Sequence, residues 1–511
     1  MQKNKIGIWG LGIVGKSAIK YFYTKGYQLE LLDQRTPTSE EQEFLKAHAT
    51  TWYNYADLPA FLERNDRILP SCGIDLRPYA QYQHKWLSEL DLFAAECIKP
   101  IIAITGSVGK TTVTHLLSHL LLAQEKKIFT GGNIGVGLLE SIDEANSSDY
   151  VVIEVSSFQL ERCTTFTPDF AICTNIFANH LDRHGSFEQY VEEKMKIVGN
   201  YNSNMVRYSS LQEPTHHERG MYLPQNLVEK FKEEVDQGER SKKNPFVVSD
   251  CEAIVSNHNK TQKILFPIAL FNQIPENIRT SQSLNFFTSH IPSPQEISLV
   301  GDFHTLYYLH NAKLMRYYQT TTSSIFDFIE LPFVSYTQNV VILAATLHIL
   351  GYPLNHFVEI LNQQELPEHR LEKIATIKGI DFYNDSKATI PASTLAAIEK
   401  IKDRPIVLFL GGVSKGVDRS EFIKQIPACV RMVYCFGKEA EQLKIWCEAN
   451  AIPAQSFANL DEAFIALPAA TKHNDQILFS PAGASFDLFA NYAERGNYFK
   501  KLVFSLKTEQ S

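Results

Sequence analysis

The residues best suited to chemistry lie in a glycine-rich turn. Thr105-Gly106-Ser107-Val108-Gly109-Lys110-Thr111-Thr112 follows the apolar run Ile101–Ile104 and opens a helical pattern. A strand, a glycine turn and a helix N-terminus in that order offer backbone N–H groups to phosphates. The lysine ammonium offsets their charge, and a threonine hydroxyl can ligate Mg2+. Counted from Gly106, the spacing is shorter than the common GxxxxGK[ST] pattern, which leaves a chance Gly-Lys-Thr turn open; the placement favours a phosphate loop. Glu154 ends the apolar run Tyr150–Val155, and Ser156-Ser157-Phe158-Gln159 follow it. A strand-end carboxylate beside a phosphate loop suits Mg2+, and a solvated strand end is the equal alternative.

Further polar clusters follow other apolar runs. Asn175-Ile176-Phe177-Ala178-Asn179-His180-Leu181-Asp182-Arg183 comes after Phe170–Thr174, and Lys194 lies four residues beyond Tyr190 on the same helix face. On pattern alone His180 gains weight as a site residue from its polar neighbours, whereas Lys194 reads as a surface lysine. A second glycine turn, Gly10-Leu11-Gly12-Ile13-Val14-Gly15, follows Ile6–Trp9, with Asp33 at the end of the next apolar run. Alone it fits NAD binding or a tight structural turn; the phosphate loop downstream favours another nucleotide. Near the C-terminal end stand His369-Arg370, Asn384-Asp385-Ser386-Lys387-Ala388-Thr389, Gly411-Gly412-Val413-Ser414-Lys415 and Ser480 to Phe486. Most follow apparent strands, and open α/β sheets bind ligands beyond the carboxyl ends of their strands.

The elements that must position these groups are short buried strands alternating with helices. Ile6–Trp9, Leu29–Leu32, Ile101–Thr105, Tyr150–Val155, Phe170–Thr174, Ile406–Leu410, Met432–Phe436 and Gln476–Phe479 read as strands, and Thr111–Gln124 and Glu439–Ala449 as helices. Such alternation predicts an α/β fold with parallel sheets. Three blocks emerge: 1–96, 97–365 and 366–511, the middle one carrying a polar, elaborated stretch over about 205–330 with no chemical motif.

Composition narrows the function. The chain has 511 residues, 44% hydrophobic and 21% charged, with a formal net charge of −8. That balance excludes the basic footprint of a nucleic-acid binder but not small anionic ligands. The 8 cysteines (Cys72, Cys97, Cys163, Cys173, Cys251, Cys429, Cys435 and Cys447) show no metal-ligand spacing and read as reduced thiols. Lys3 and Lys5 before Ile6–Val14 faintly resemble a signal peptide, but glycines interrupt the run and Lys16 follows it. No apolar run reaches the ~18 residues of a membrane span. The expectation is a cytoplasmic protein.

Taken in order, the phosphate loop, the Asn-His-Leu-Asp-Arg segment with its downstream lysine, and His-Arg before Asn-Asp-Ser-Lys-Ala-Thr resemble the Mur ligase family. Ser156 to Glu161, Asn384 to Thr389, Ser480 to Phe489, Asn491-Tyr492 and Arg495-Gly496 resemble its D-glutamate-adding branch. The resemblance implies three domains: an N-terminal Rossmann-like domain, a central phosphate-loop ATPase-like domain with a parallel or mixed sheet, and a C-terminal Rossmann-like domain. It implies ATP-dependent joining of UDP-N-acetylmuramoyl-L-alanine to D-glutamate through an acyl phosphate, in peptidoglycan precursor synthesis, by a monomer.

The same resemblance assigns roles. Leu11, Gly12, Ile13, Val14, Asp33 and Gln34 would hold the UDP moiety, and Asn133, Ser156 and Gln159 the muramoyl substrate. Ser107, Gly109, Lys110, Thr111 and Thr112 would embrace the ATP phosphates, with Asn339, Arg370 and Asp385 completing the ATP site. Thr111, Glu154, His180 and Lys194, the last as a carbamate, would hold two Mg2+ ions. Lys110, Lys194, His180 and Glu154 form the implied catalytic set, with His180 a candidate general base. Lys387, Thr389, Lys415, Ser485, Phe486 and Tyr492 would place the amino acid.

The chain departs from the family pattern at Val108, where Asn is usual, and at Val413-Ser414, where an acidic residue is common. The usual Gly-x-His-Asn-x-x-Asn segment survives as Tyr336-Thr337-Gln338-Asn339. Competing readings are a sister ligase or folylpolyglutamate-type synthetase, an NAD-dependent dehydrogenase, and a non-catalytic nucleotide-binding regulator.

Overall fold

The computed structural model describes residues 5–198, 263–267, 299–301, 305–310, 313–318, 321–327, 337–364 and 368–508. They fall into two compact units. One comprises Met1–Ile176, Val191–Pro332 and Gln338–Gln363; the other comprises Phe177–Tyr190, Phe333–Thr337 and Gln364–Ser511.

The first unit carries two sheets. In the first, β1 (Lys5–Trp9), β2 (Gln28–Leu32), β3 (Thr50–Tyr53) and β4 (Arg67–Pro70) run parallel in the order β3-β2-β1-β4. The second contains β5 (Ile101–Thr105), β6 (Ile128–Gly132), β7 (Tyr150–Glu154), β8 (Phe170–Cys173), β9 (Lys263–Pro267), β10 (Leu299–Gly301), β11 (Thr305–His310), β12 (Lys313–Tyr318) and β13 (Thr321–Asp327). Their order is β13-β12-β11-β10-β9-β8-β5-β7-β6. Pairs from β6 to β9 are parallel, and those from β9 to β13 antiparallel. The parallel strands are continuous apolar runs, because crossover helices cover both faces of such a sheet. One core cluster joins Ile6, Ile8, Ala18 and Ile19 with Ile101, Ala103, Phe129 and Ile153, so both sheets share an interior.

The second unit has one sheet of β14 (Glu372–Ile377), β15 (Ile380–Asn384), β16 (Ile406–Gly411), β17 (Val430–Phe436), β18 (Ala454–Phe457) and β19 (Gln476–Phe479), ordered β14-β15-β19-β16-β17-β18. All its pairs are parallel except β14 with β15. That hairpin turns at Lys378-Gly379, both with positive φ, as a tight two-residue hairpin demands. Strand periodicity splits the core: Ile406, Leu408 and Leu410 enter one cluster, Val407 and Phe409 the other. β19 does the same, with Leu478 on one face and Ile477 and Phe479 on the other.

The predicted strands all appear, shifted by at most two residues at their ends. The predicted helices become Lys110–Leu122 and Ala440–Ala449, and Asn339 lies on the helix Thr337–Ile349. Sequence patterning missed β3, β4, β6, β18 and the β14–β15 hairpin, which are short or partly polar. Within the elaborated stretch the structure describes β9 to β13; its remainder, and Tyr336, lie outside the described residues.

Candidate active site

The glycine turn after β1 is built as its spacing suggests. Gly10 has φ +100, and a Cβ on Gly15 would lie 2.0 Å from the Gly10 carbonyl oxygen. Only glycine permits that packing of turn against helix. Asp33 braces the turn by accepting from the Leu11 N–H at 2.7 Å and the Arg35 N–H at 2.8 Å. Leu11 is buried, whereas Gly12, Ile13 and Gln34 are exposed beside the N-terminus of the helix Ile13–Thr24.

The glycine-rich loop Gly106–Thr112, the expected phosphate loop, sits at the carboxyl end of β5. Gly106 (φ +140) and Gly109 (φ +87) adopt conformations that disfavour other residues. Ser107 N–H donates to Asn175 O, and Val108 N–H to Asn175 Oδ1, both at 2.9 Å. The Val108 carbonyl accepts from Thr174 Oγ1 at 2.6 Å and Asn175 Nδ2 at 2.9 Å. The main chain of Val108 therefore fixes the loop, with no help from its side chain. Lys110 Nζ folds back to Gly106 O at 2.9 Å and Ser107 O at 3.2 Å. Thr111 is half-buried and Thr112 buried at the start of the helix Lys110–Leu122.

Lys194 comes to the same carbonyl. Its Nζ donates to Gly106 O at 2.8 Å and Thr105 Oγ1 at 3.4 Å, and the residue is 1% exposed. Burial pushes its ammonium well below the ordinary lysine range, and the nearby Lys110 charge adds to that; Cys173 and Glu154 oppose it more weakly. The surface position read from pattern alone is thus replaced by an interior one, on the helix Phe187–Met195.

Glu154 ends β7 and is 2% exposed. Its Oε1 accepts from Asn133 Nδ2 at 3.0 Å, and its carbonyl accepts from the Asn133 N–H at 2.8 Å. Ser156 and Gln159 close a capping box on the short helix Ser157–Leu160. Asn339 is 1% exposed, and both polar atoms of its carboxamide lack a hydrogen-bond partner among the described residues. A Cβ on Gly109 would lie 3.1 Å from each of those atoms. An unsatisfied buried amide facing a bare loop glycine is a cradle for a polar ligand such as a nucleotide. Among the described residues, no three His, Cys, Asp or Glu side chains converge as a metal site. The oxygen donors present fit Mg2+, which takes few protein ligands and completes its shell with phosphates and waters.

In the second unit, His180 has φ +55 and precedes the short helix Leu181–His184. A Cβ on Gly416 would come 2.9 Å from the Asp182 N atom, so this segment lies against the Lys415-Gly416 turn. His369 (φ +66) is buried and accepts from Asn384 Nδ2 at 2.8 Å. Burial holds its imidazole below the usual range. Arg370 is half-buried beside Asp385, which accepts from Ser480 Oγ at 2.7 Å and the Leu371 N–H at 3.1 Å. Burial raises the Asp385 carboxyl to about 7, against those hydrogen bonds and the Arg370 charge.

Two pairs of the expected amino-acid contacts meet. Lys415 Nζ donates to Thr389 Oγ1 at 3.4 Å, and Lys387 Nζ lies 3.6 Å from the Tyr492 ring centre. Ser485 is buried, while Phe486 is 71% exposed. Sequence reasoning missed the buried Arg419 and singled out Arg495, also buried, only as part of a family string with no role attached. Arg495 donates to Ser386 Oγ, Ser386 O and Gly483 O. Arg419 donates to Gly411 O and Gly412 O. An arginine next to polar turns gave no signal, because its burial depends on the fold.

Comparison with known proteins agrees with this architecture. The Mur ligase middle domain matches residues 104–266, and the Mur ligase, glutamate ligase domain matches residues 369–483. A protein named UDP-N-acetylmuramoylalanine--D-glutamate ligase from a Thermoanaerobacter species is 27% identical, covering 99% of this chain and 99% of its own length. One of the same name from Symbiobacterium thermophilum is 29% identical over 99% of this chain and 98% of its own. Among solved structures, UDP-N-acetylmuramate-alanine ligase from Thermotoga maritima superposes with a TM-score of 0.51 at 16% identity, covering 99% of this chain and 100% of that one. With two family domains matched in order over more than half of its length, at the segments that carry the loops above, the chain belongs to the Mur ligase family.

Proposed function

We propose that this chain adds D-glutamate to UDP-N-acetylmuramoyl-L-alanine, with ATP as the phosphoryl donor. As a Mur ligase it forms a C–N amide bond in an ATP-dependent reaction. The observation that carries the phosphoryl-transfer chemistry is the convergence of Lys110 and the buried Lys194 on the Gly106 carbonyl, and the relatives named UDP-N-acetylmuramoylalanine--D-glutamate ligase support the choice of substrates.

A carboxylate does not condense with an amine in water, because its oxygen is a poor leaving group. The L-alanyl carboxylate attacks the γ-phosphorus of ATP, the bond to ADP breaks, and an acyl phosphate forms. The neutral amine of D-glutamate then attacks the carbonyl carbon. The tetrahedral adduct loses phosphate, and the extra amine proton passes to a base. Catalysis of both steps is largely positioning and charge neutralisation. Lys110 offsets the charge of the triphosphate as the substrate carboxylate approaches. Mg2+, held through Glu154 and Thr111, would supply Lewis-acid stabilisation of the phosphoryl oxygens.

Lys194 is read as a carbamate. Its depressed ammonium provides the neutral amine that can attack CO2; one proton leaves and a carboxylate-bearing side chain results. The glycine turn with Asp33 would hold the uridine diphosphate, with Asn133 toward the muramoyl portion. Thr389 and Lys415 would receive the amino-acid carboxylates, near Lys387, Ser485, Phe486 and Tyr492. No helix among the described residues is long and apolar enough to cross a membrane, and the reading takes the protein as a cytoplasmic monomer.

Phosphate release with ATP, UDP-N-acetylmuramoyl-L-alanine and a panel of amino acids tests the proposal. Release that requires D-glutamate is expected. Equal release with another amino acid would assign the chain to a sister activity, and release indifferent to any amine would refute ligation.

A further inference from the structure

The Gly411–Lys415 turn is held by a buried ion pair that no motif announces. The Arg419 side chain is fully buried. Its Nη1 donates to Gly411 O at 3.0 Å and its Nη2 to Gly412 O at 3.0 Å. Nη2 also donates to Glu439 Oε2, while Glu439 Oε1 accepts the Ser414 N–H at 2.9 Å. The pair thus grips peptide groups on both sides of Val413, whose own N–H and carbonyl pair with Ala484 at 2.9 and 2.8 Å. Two residues beyond Val413, Lys415 stands at φ +54, in the left-handed region that a lysine does not adopt freely. Its ammonium reaches Thr389 Oγ1.

We propose that Arg419 and Glu439 are positioning residues for the amino-acid acceptor: they fix the turn so that Lys415 is held in its strained conformation with its ammonium toward Thr389. This rests on the reading that Lys415 and Thr389 receive the acceptor. A buried arginine without its carboxylate would be strongly unfavourable, so the pair acts as one device. Glu439 accepts through both oxygens at once. A glutamine there has one accepting oxygen and turns an NH2 group toward either Arg419 or the Ser414 N–H. The turn then relaxes although the volume is unchanged.

The test compares Glu439→Gln, Arg419→Lys and Lys415→Ala in the full-length enzyme. Measured are the KM values for D-glutamate, ATP and UDP-N-acetylmuramoyl-L-alanine, together with thermal melting. Glu439→Gln and Arg419→Lys are each expected to raise the acceptor KM about tenfold, with the other two KM values within about twofold. An unchanged acceptor KM in a variant that melts cooperatively would overturn the proposal, as would equal rises in all three constants. Arg419→Lys retains a buried cation and serves where Glu439→Gln fails to melt cooperatively. Lys415→Ala separates the two layers of the argument. If it leaves the acceptor KM unchanged, the reading of the site is wrong; if it raises that constant and the other variants do not, only the clamp is wrong.

Discussion

Two buried cations sit behind two strand-end turns, and they meet opposite fates. Behind the turn after β5, Lys194 is 1% exposed and donates to the Gly106 carbonyl, with the Lys110 charge close by. Behind the turn after β16, Arg419 is equally buried and donates to the Gly411 and Gly412 carbonyls, with the Glu439 carboxylate in reach. The geometry is alike; the headgroups and neighbours differ. Burial beside another cation pushes an amine's proton affinity down, whereas a carboxylate partner favours the charged guanidinium. On the proposed reading the first arrangement prepares a reactive nitrogen, and the second builds a rigid brace.

The largest effect expected from breaking this contrast is at Lys110. Lys110→Ala removes the charge proposed to face the triphosphate, and kcat in the phosphate-release assay should fall about 10³-fold. UDP-substrate binding by calorimetry should stay near wild type. Lys194→Ala should cost at least about a hundredfold in kcat. Acetate should restore part of that loss by supplying a small carboxylate, and should do nothing for Lys110→Ala. Lys415→Ala, at the other turn, should raise the acceptor KM about tenfold, the scale of one lost charge-assisted hydrogen bond.

A smaller effect concerns stability, at a third buried ionisable group. Glu89 is 6% exposed, and burial raises its carboxyl to about 7, against the Leu138 N–H and Gln159. The folded chain therefore binds a proton at Glu89 that the unfolded chain has released between about pH 4.5 and 7. Stability falls as pH rises through that window. Glu89→Gln should remove the loss, making the variant more stable than wild type by about 2 kcal/mol at pH 8 and by much less at pH 5 in urea melts. The smallest change is expected for Val108→Asn. The Thr174 and Asn175 contacts that hold this position use its main chain, so kcat should move by less than about threefold.

Much of the scaffold was legible because parallel strands buried on both faces write themselves as apolar runs, as in Ile101–Thr105 and Ile406–Gly411. Their ends point to the turns, which is why Gly106 to Thr112 and Gly411 to Lys415 stood out. Charge state was not legible in the residue pattern, and only the family resemblance implied a carbamate at Lys194. Lys194 is an ordinary lysine in a helical pattern until Thr105, Gly106 and Cys173 surround it from distant parts of the chain. Arg419 was missed, and Arg495 was quoted in a family string without a role, for the same reason: their carbonyl partners are fixed by tertiary packing. Asn384 and Asp385 were found through their motif, but the burial that raises Asp385 belongs to the assembled sheet. The β14–β15 hairpin was missed although Lys378-Gly379 is a usable turn signal, because the flanking strands are only partly apolar.

The central claim is that burial beside Lys110 leaves the Lys194 amine neutral and able to take up CO2. Carbon-13 NMR of the full-length protein equilibrated with labelled bicarbonate tests it without reference to turnover. The account predicts a protein-bound carbamate carbonyl signal that disappears in Lys194→Ala and persists in Lys415→Ala. A spectrum with no carbamate signal, or with one that survives Lys194→Ala, would contradict it.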